Sequence, residues 1–130
     1  MKKLGFARSC KELEVYQASF RFQQTIFGLS KQFPPDERFS LTDQIRRSSR
    51  SIGANISEAW TKRRYPSHFV SKLTDSDGEL QETLHWLRTA LACEYVNTKN
   101  STNLASNAEE IGKMLGSMIA NPEKFCPNAN

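Results

Sequence analysis

The sequence predicts an all-α fold, an antiparallel up-down-up-down four-helix bundle in a single domain of 130 residues. Three observations indicate this fold. Apolar residues recur every three or four positions in four separate segments, prolines and polar turns separate those segments, and no segment alternates apolar and polar residues as a strand would. Short connections favour antiparallel neighbours. We expect a flexible N-terminal tail at residues 1–10, the bundle at 11–121 and an irregular C-terminal tail at 122–130.

The first helix is predicted over residues 11–32, where apolar side chains form one broad face. Pro34 and Pro35 end it, because proline lacks an amide hydrogen and keeps the preceding residue out of helical geometry. Ser40 resembles an N-cap and opens a second helix over about residues 41–61. The expected apolar face of the first helix consists of Leu13, Tyr16, Phe20, Ile26, Phe27 and Leu29.

The third helix carries the most regular apolar pattern in the chain. Pro66 suits its first turn, and Gly78 lies inside it at a cost of about 1 kcal/mol relative to alanine. Residues 97–103 are polar and predict a turn before the fourth helix, which Pro122 ends. The expected core positions are Phe69, Leu73, Ser76, Leu80, Leu84, Leu87, Leu91 and Tyr95 in the third helix, and Leu104, Ala108, Ile111, Leu115 and Met118 in the fourth.

The second helix differs from an ordinary surface helix, whose outer face carries long polar side chains. Besides an apolar stripe it has small residues on most of its other faces, which let neighbouring backbones approach. We therefore expect this helix to be packed on more than one side, within the bundle and against another copy of the chain. The stripe is Ile45, Ser49, Ile52, Ile56 and Ala59, and the small residues are Ser48, Ser51, Gly53, Ala54 and Ser57.

The charge of the chain is distributed unevenly. Its net charge is +4, but residues 1–72 carry 14 Lys and Arg against 6 Asp and Glu, whereas residues 73–130 carry 4 against 8. Such an asymmetry fits either a basic surface for nucleic acid or two halves of one bundle that attract each other. The sequence alone leaves both interpretations open.

No segment of the sequence indicates a membrane span or a signal peptide, because no apolar run approaches about 18 residues. Cys10, Cys93 and Cys126 are odd in number, far apart and without metal-ligand spacing. We therefore expect a cytoplasmic protein with free thiols, no membrane association and no metal or other cofactor.

Two groups of basic residues are candidate nucleic-acid-binding sites. Lys62, Arg63 and Arg64 lie at a predicted loop, where they can contact phosphate; the alternative is a solvated helix end stabilised by the helix dipole. The other group, on the second helix, can contact phosphate or form ion pairs with an acidic strip of the third helix. That group is Arg46, Arg47 and Arg50, and the strip is Asp75, Glu79 and Glu82.

The sequence shows no phosphate-binding glycine loop, nucleophile elbow or dinucleotide motif, so we expect no enzymatic activity. Arg63 and His68 have the spacing that some all-helical ribonucleases use. Here, however, the pair straddles Pro66 at a helix boundary. Ribonuclease chemistry is therefore the weakest of the functional interpretations.

Several motifs together resemble one known family over about residues 13–119. The chain is similar to the four-helix-bundle proteins encoded in intervening sequences of bacterial 23S ribosomal RNA genes. More distantly, it resembles the accessory variability protein of diversity-generating retroelements. The motifs are Val15-Tyr16-Gln17-Ala18, Phe33-Pro34, Gln44-Ile45-Arg46-Arg47, Asn55-Ile56-Ser57-Glu58 and Glu79-Leu80.

The resemblance implies a homopentameric barrel of bundles, no known catalytic activity and a link to RNA. The retroelement relative binds nucleic acid and a reverse transcriptase through a basic surface. Arg46 and Arg47 match the paired basic positions of the family, whereas Asn55, Glu58 and Glu79 match polar positions expected to be structural or interfacial. Ala59 and Asp75 depart from the pattern, because each stands where a glycine is usual.

These expectations leave two functional hypotheses. The first is a non-enzymatic, oligomeric bundle that binds RNA or DNA through its basic surface. The second is a protein-protein scaffold or adaptor whose arginines form ion pairs within the bundle and between subunits. The two hypotheses differ in where the guanidinium groups of the second helix point.

Overall fold

The computed structural model describes residues 8–127, and these residues form four α-helices and no strand. The all-α prediction is therefore confirmed. Short 3₁₀ helices at Cys10–Glu12, Pro35–Glu37 and Pro122–Lys124 and one π-helical turn at Arg38–Thr42 complete the described elements. The α-helices are α1 (Glu14–Ser30), α2 (Asp43–Thr61), α3 (Pro66–Ala92) and α4 (Thr98–Ala120).

The α2 helix packs against both α1 and α3, and α4 contacts the other side of each of those two helices. All five residues of the predicted α2 stripe are buried, together with Ser48, Gly53 and Trp60. A Cβ atom added at Gly53 would lie 3.3 Å from the Ser19 hydroxyl of α1, so glycine permits a close approach there. The prediction that α2 is packed on more than one side is confirmed within the chain.

Buried hydroxyl groups join α2 to α3. Ser76 donates a hydrogen bond to the Ile52 carbonyl at 2.8 Å, and Thr83 Oγ1 lies 2.8 Å from both the Ser48 hydroxyl and the Glu79 carbonyl. Small residues at these positions allow the two helices to approach closely while their polar atoms stay paired. Among the described residues, no buried side-chain nitrogen or oxygen atom lacks a hydrogen-bond partner.

The core face of α1 agrees only in part with the predicted one, since Leu13 and Ile26 are buried as expected but other positions differ. Val15, Ser19, Phe22 and Ile26 are buried, whereas Phe20 is 48% exposed. Two apolar rows run along this helix, and the sequence does not distinguish the row that faces the core from its neighbour. Tyr16 and Phe27 of the other row contact α2: Tyr16 lies against Gly53, and Phe27 lies against Arg46 and Arg50.

Two predicted helix starts are also wrong. Ser40 lies inside the π-helical turn, and its hydroxyl hydrogen-bonds the Glu37 carboxylate at 2.8 Å rather than capping a helix. The α4 helix begins at Thr98, because the Asn97 side chain accepts a hydrogen bond from the Asn100 amide at 2.7 Å. The polar stretch predicted as a turn is thus mostly the exposed first turns of α4.

The predicted stripes of α3 and α4 lie mainly in the core. All five α4 positions are buried, as are most of the α3 positions. The C-terminal end of the α3 stripe differs, since Leu91 is exposed. Thr83 and Ala90, which the pattern did not include, are fully buried and take core positions in that part of α3.

The residues after α4 are more ordered than the irregular tail expected there. Phe125 and Cys126 are buried, and the Phe125 ring stacks on Phe69 with centroids 6.0 Å apart. This segment closes the end of the core beside the start of α3. The remaining parts of the two expected tails, residues 1–7 and 128–130, lie outside the described residues.

Candidate nucleic-acid interface

The basic cluster Lys62–Arg64 lies in a tight connection between α2 and α3. The Lys62 amide donates to the Ala59 carbonyl at 2.9 Å, and the Tyr65 amide donates to the Lys62 carbonyl at 2.9 Å. Pro66 occupies the first turn of α3, where its missing amide hydrogen is not needed. The three basic residues therefore lie in a turn that backbone hydrogen bonds hold in place.

Arg63 points back toward the protein. Its Nε donates to the Trp60 carbonyl at 2.9 Å, and its guanidinium carbon lies 3.5 Å from the centroid of the Trp60 ring. Partial burial lowers the pKa of Arg63, and the nearby Cys126 thiol opposes that shift. The side chain packs on a buried indole and fixes the end of α2, so it is less available for a ligand than its two neighbours.

Lys62 and Arg64 are exposed, and within residues 8–127 neither forms an ion pair. A hydrogen bond from Lys72 is the main cause of the lowered pKa of Glu58, and the charge of Lys62 adds a smaller contribution in the same direction. The Arg64 guanidinium carbon lies 5.8 Å from the centroid of the Tyr65 ring. Arg64 thus faces solvent beside an exposed aromatic ring, and Lys62 faces solvent from the same turn.

The arginines of α2 divide into two groups. Arg46 and Arg50 turn toward α1, where their guanidinium carbons lie 4.8 and 5.2 Å from the centroid of the Phe27 ring. Arg46 Nε also donates to the buried Ser30 hydroxyl at 2.7 Å. Within the described residues, the ion-pair alternative with the acidic strip of α3 therefore does not hold for these two arginines, because α1 supplies an aromatic face on their side of α2.

Arg47 does pair with α3. Its guanidinium nitrogens lie 3.2 and 3.3 Å from the two Glu79 oxygens and 2.5 Å from a Glu82 oxygen. Trp86 donates a second hydrogen bond to Glu82 at 3.1 Å. Hydrogen bonds from Arg47 and Trp86 lower the pKa of Glu82, and the bonds to both carboxylates raise the pKa of Arg47.

Asp75 and Glu58 are paired by a lysine rather than by an arginine. Lys72 Nζ lies 2.7 Å from a Glu58 oxygen and 3.8 Å from an Asp75 oxygen. The Asn55 side chain donates to the Ser51 carbonyl at 2.9 Å on its own helix. All five polar candidates predicted as structural or interfacial thus border the junction of α2 and α3, where Asn55, Asp75, Glu79 and Glu82 line an open, acidic surface groove.

Three aromatic residues contact the candidate basic residues, and the sequence pattern did not predict these contacts. Phe27 holds two arginines, Trp60 holds a third, and Tyr65 stands exposed beside Arg64 and His68. An aromatic residue within two positions of a basic cluster is the available signal for Trp60 and Tyr65. Phe27 gives no such signal, because it lies on another helix.

Arg63 and His68, the ribonuclease-like pair, face different aromatic rings. Arg63 contacts Trp60, whereas the His68 ring lies 5.3 Å from that of Tyr65. No group of His, Cys, Asp and Glu within the described part of the chain has the arrangement of a metal site. The same residues include no helix that combines the length and apolar character needed to cross a membrane.

The fold and the surface define a class of protein. It is a small helical bundle in which the arginines of one helix contact the two neighbouring helices, and in which exposed cations lie at one turn between helices. The chain belongs to the family of 23S rRNA-intervening sequence proteins, whose sequence profile matches residues 11–117. The family resemblance stated from the sequence is thereby confirmed.

One solved structure supports the same assignment. It is the crystal structure of a protein of unknown function from the S23 ribosomal protein family of Bacteroides thetaiotaomicron VPI-5482. The two chains are 33% identical, the match covers 81% of this chain and 97% of that chain, and the TM-score is 0.73. No curated protein matches the chain.

Proposed function

We propose that this protein is a non-enzymatic, self-associating helical bundle that binds RNA through Lys62 and Arg64. The observation that carries the proposal is the contrast among its cations. Arg46, Arg47 and Arg50 contact protein groups, whereas Lys62 and Arg64 face solvent from a fixed turn. Phosphate contacts from exposed cations supply most of the sequence-independent affinity for nucleic acid.

The family supports RNA as the ligand class, because its name refers to sequences within 23S ribosomal RNA. Arg63 contributes indirectly in this proposal. Its contacts with Trp60 hold the end of α2, and this fixes the direction in which Lys62 and Arg64 leave the surface. A turn whose backbone is already ordered loses less conformational entropy on binding than a mobile loop would.

We further propose an antiparallel bundle that assembles into a ring, most simply the pentamer that the family resemblance implies. Ser48 contacts Thr83 and Ile52 contacts Ser76, so positions that ascend along α2 meet positions that descend along α3. This order supports the antiparallel arrangement. Assembly would repeat the basic turn around the ring and multiply its phosphate contacts.

The α1–α2 surface is the part of the chain that best supports self-association. Phe20 is exposed there, stacked against Tyr16 at a centroid distance of 6.4 Å, and Tyr16 lies against Gly53 of α2. The small residues Ala54 and Ser57 of α2 are also exposed. Light scattering should give an oligomer for the wild-type chain and a smaller species for Phe20→Lys, and a strictly monomeric wild-type protein at high concentration would refute this part.

RNA binding is tested by measuring affinity for a 23S ribosomal RNA fragment over a series of salt concentrations. The double variant Lys62→Gln/Arg64→Gln should bind more weakly, and the slope of log K against log salt should fall in magnitude by about 1–2. The matched control is Lys99→Gln/Lys113→Gln, which removes the same charge from exposed positions of α4. Equal loss in both variants would indicate a nonspecific charge effect and would contradict the site.

A scaffold or adaptor is the second candidate function, and the arginine contacts favour it. Arg47 pairs with two carboxylates of α3, and Arg46 and Arg50 pack on Phe27, so all three arginines of α2 contact protein groups. Capture of one protein partner that persists after nuclease treatment, together with no measurable affinity for RNA, would favour this alternative.

A further inference from the structure

The turn between α2 and α3 presents an aromatic ring as well as cations. Tyr65 is 52% exposed, and its ring centroid lies 5.3 Å from that of His68, which is itself exposed. The Arg64 guanidinium carbon is 5.8 Å from the same ring. An exposed tyrosine, an exposed imidazole and the Arg64 cation thus lie together, and Lys62 is exposed on the same turn.

The ring of Tyr65 is not required for the start of α3. Tyr65 is the residue that precedes the helix, and its carbonyl accepts hydrogen bonds from the His68 and Phe69 amides at 2.9 and 3.0 Å. Those bonds use backbone atoms that any residue provides. Pro66 fixes the following backbone dihedral independently of the side chain before it. Helix initiation therefore does not account for a large, exposed aromatic side chain at this position.

We propose that Tyr65, with His68 beside it, is a stacking platform for an unpaired base, and that the site takes single-stranded rather than duplex RNA. This inference rests on the proposed RNA-binding function and specifies its ligand. Lys62 and Arg64 would neutralise the phosphates on either side of the stacked base. Proteins that bind single strands without sequence preference combine these two elements, a basic surface and aromatic rings.

The chemistry of RNA favours a single strand at this patch. In an A-form duplex the bases are stacked on one another, and the major groove is too deep and narrow for a side chain to read. A ring on a convex turn can stack only on a base that has left the helix, as in loops, bulges and ends. A duplex would contact the cations alone.

A second exposed aromatic residue provides an internal comparison. Phe39 is 72% exposed, and the Arg38 guanidinium carbon lies 5.3 Å from its ring. Asp36 and Glu37 precede it in the chain, so a phosphate there would meet carboxylates as well as one arginine. The Phe39 side chain is therefore the matched control, an exposed ring beside a cation but outside a cluster of positive charge.

The test measures the binding of fluorescently labelled oligouridine of about 12 nucleotides and of an RNA duplex of the same length. Tyr65→Ala should weaken single-strand binding by about five- to a hundredfold, since stacking contributes about 1–3 kcal/mol per base, and should leave duplex binding and the salt slope unchanged. Tyr65→Phe should retain the affinity, and Phe39→Ala should have no effect. Tyr65→Leu keeps apolar volume but not a flat ring. It therefore repeats the test if Tyr65→Ala destabilises the turn.

The outcomes separate this inference from the function on which it rests. Wild-type affinity of Tyr65→Ala and Tyr65→Leu for oligouridine, combined with weakened binding by Lys62→Gln/Arg64→Gln, would overturn the stacking platform and leave RNA binding in place. Absence of binding to either RNA by the wild-type protein would overturn both. Equal losses in Phe39→Ala and Tyr65→Ala would show that any exposed ring suffices and would also contradict the platform.

Discussion

The arginines of α2 and the basic residues of the turn after it are used differently. In α2, Arg46 and Arg50 pack on Phe27 of α1 while Arg47 pairs with Glu79 and Glu82 of α3. In the turn after α2, one of three basic residues packs on a tryptophan and the other two face solvent. We infer that the neighbouring helices, rather than the local density of positive charge, decide which cations are available for a ligand.

The N-terminal half of α2 is enclosed because small residues let α3 approach. Ser76→Leu should therefore have the largest effect on stability, a loss of about 1–3 kcal/mol in the free energy of unfolding. A longer side chain overpacks a fully buried position and removes the hydrogen bond to the Ile52 carbonyl. Urea unfolding measures the change, and wild-type stability of this variant would contradict the close packing of α2 on α3.

The arginine contacts with α1 should contribute the next largest effect. Phe27→Ala should lower the free energy of unfolding by about 1–2 kcal/mol, because two guanidinium groups lose their aromatic face. Phe39→Ala, an exposed ring with a single arginine nearby, is the control and should change stability by less than about 0.5 kcal/mol. Equal losses of stability in Phe27→Ala and Phe39→Ala would contradict the claim that Phe27 stabilises the fold through its contacts with two arginines.

The ion pair with α3 should contribute least, because both partners are more than a third exposed. Since the pKa of Glu82 is lowered in the folded protein, its contribution is present above the ordinary value of 4.5 and disappears as the pH falls through the lowered value. Glu82→Gln should therefore cost a few tenths of a kcal/mol at about pH 7, and this cost should shrink as the pH falls below 4.5.

The control for this pH dependence is Glu109→Gln, whose carboxylate pairs with Lys113 on the open surface of α4. Both of those side chains are more than 70% exposed, so removing that pair should change stability less than removing the Glu82 pair. A cost of Glu82→Gln that grew at acid pH would reverse the sign expected from the lowered pKa and would contradict the assigned pairing.

Much of the fold could be predicted from the sequence, because apolar periodicity directly reports which face of a helix is buried. The α2 stripe around Ile52 shows this, since all five of its residues are in the core. The α1 face was predicted only in part, because that helix has two adjacent apolar rows: Leu13 and Ile26 are buried as expected, but Phe22 takes the core position instead of Phe20. The order of the segment after α4 depends on the packing of Phe125 on Phe69, which no local pattern indicates.

The candidate site was predictable in its residues but not in their roles. The sequence placed Lys62, Arg63 and Arg64 at a turn, and the structure agrees. It could not assign Arg63 to Trp60 or Arg46 to Phe27, because those contacts depend on side-chain directions and on a second helix. Charge patterning identifies the cations, and tertiary packing decides which of them remain exposed.

The central claim is that the arginines of α2 serve stability, whereas Lys62 and Arg64 of the turn after α2 serve RNA binding. One paired measurement tests it most directly: the free energy of unfolding and the affinity for the 23S ribosomal RNA fragment, both determined for two double variants. We predict that Lys62→Gln/Arg64→Gln loses RNA affinity and keeps its stability, whereas Arg46→Gln/Arg50→Gln loses stability and, where folded, keeps RNA affinity. Loss of RNA affinity only in the Arg46/Arg50 variant, with the Lys62/Arg64 variant binding as the wild type does, would contradict the claim.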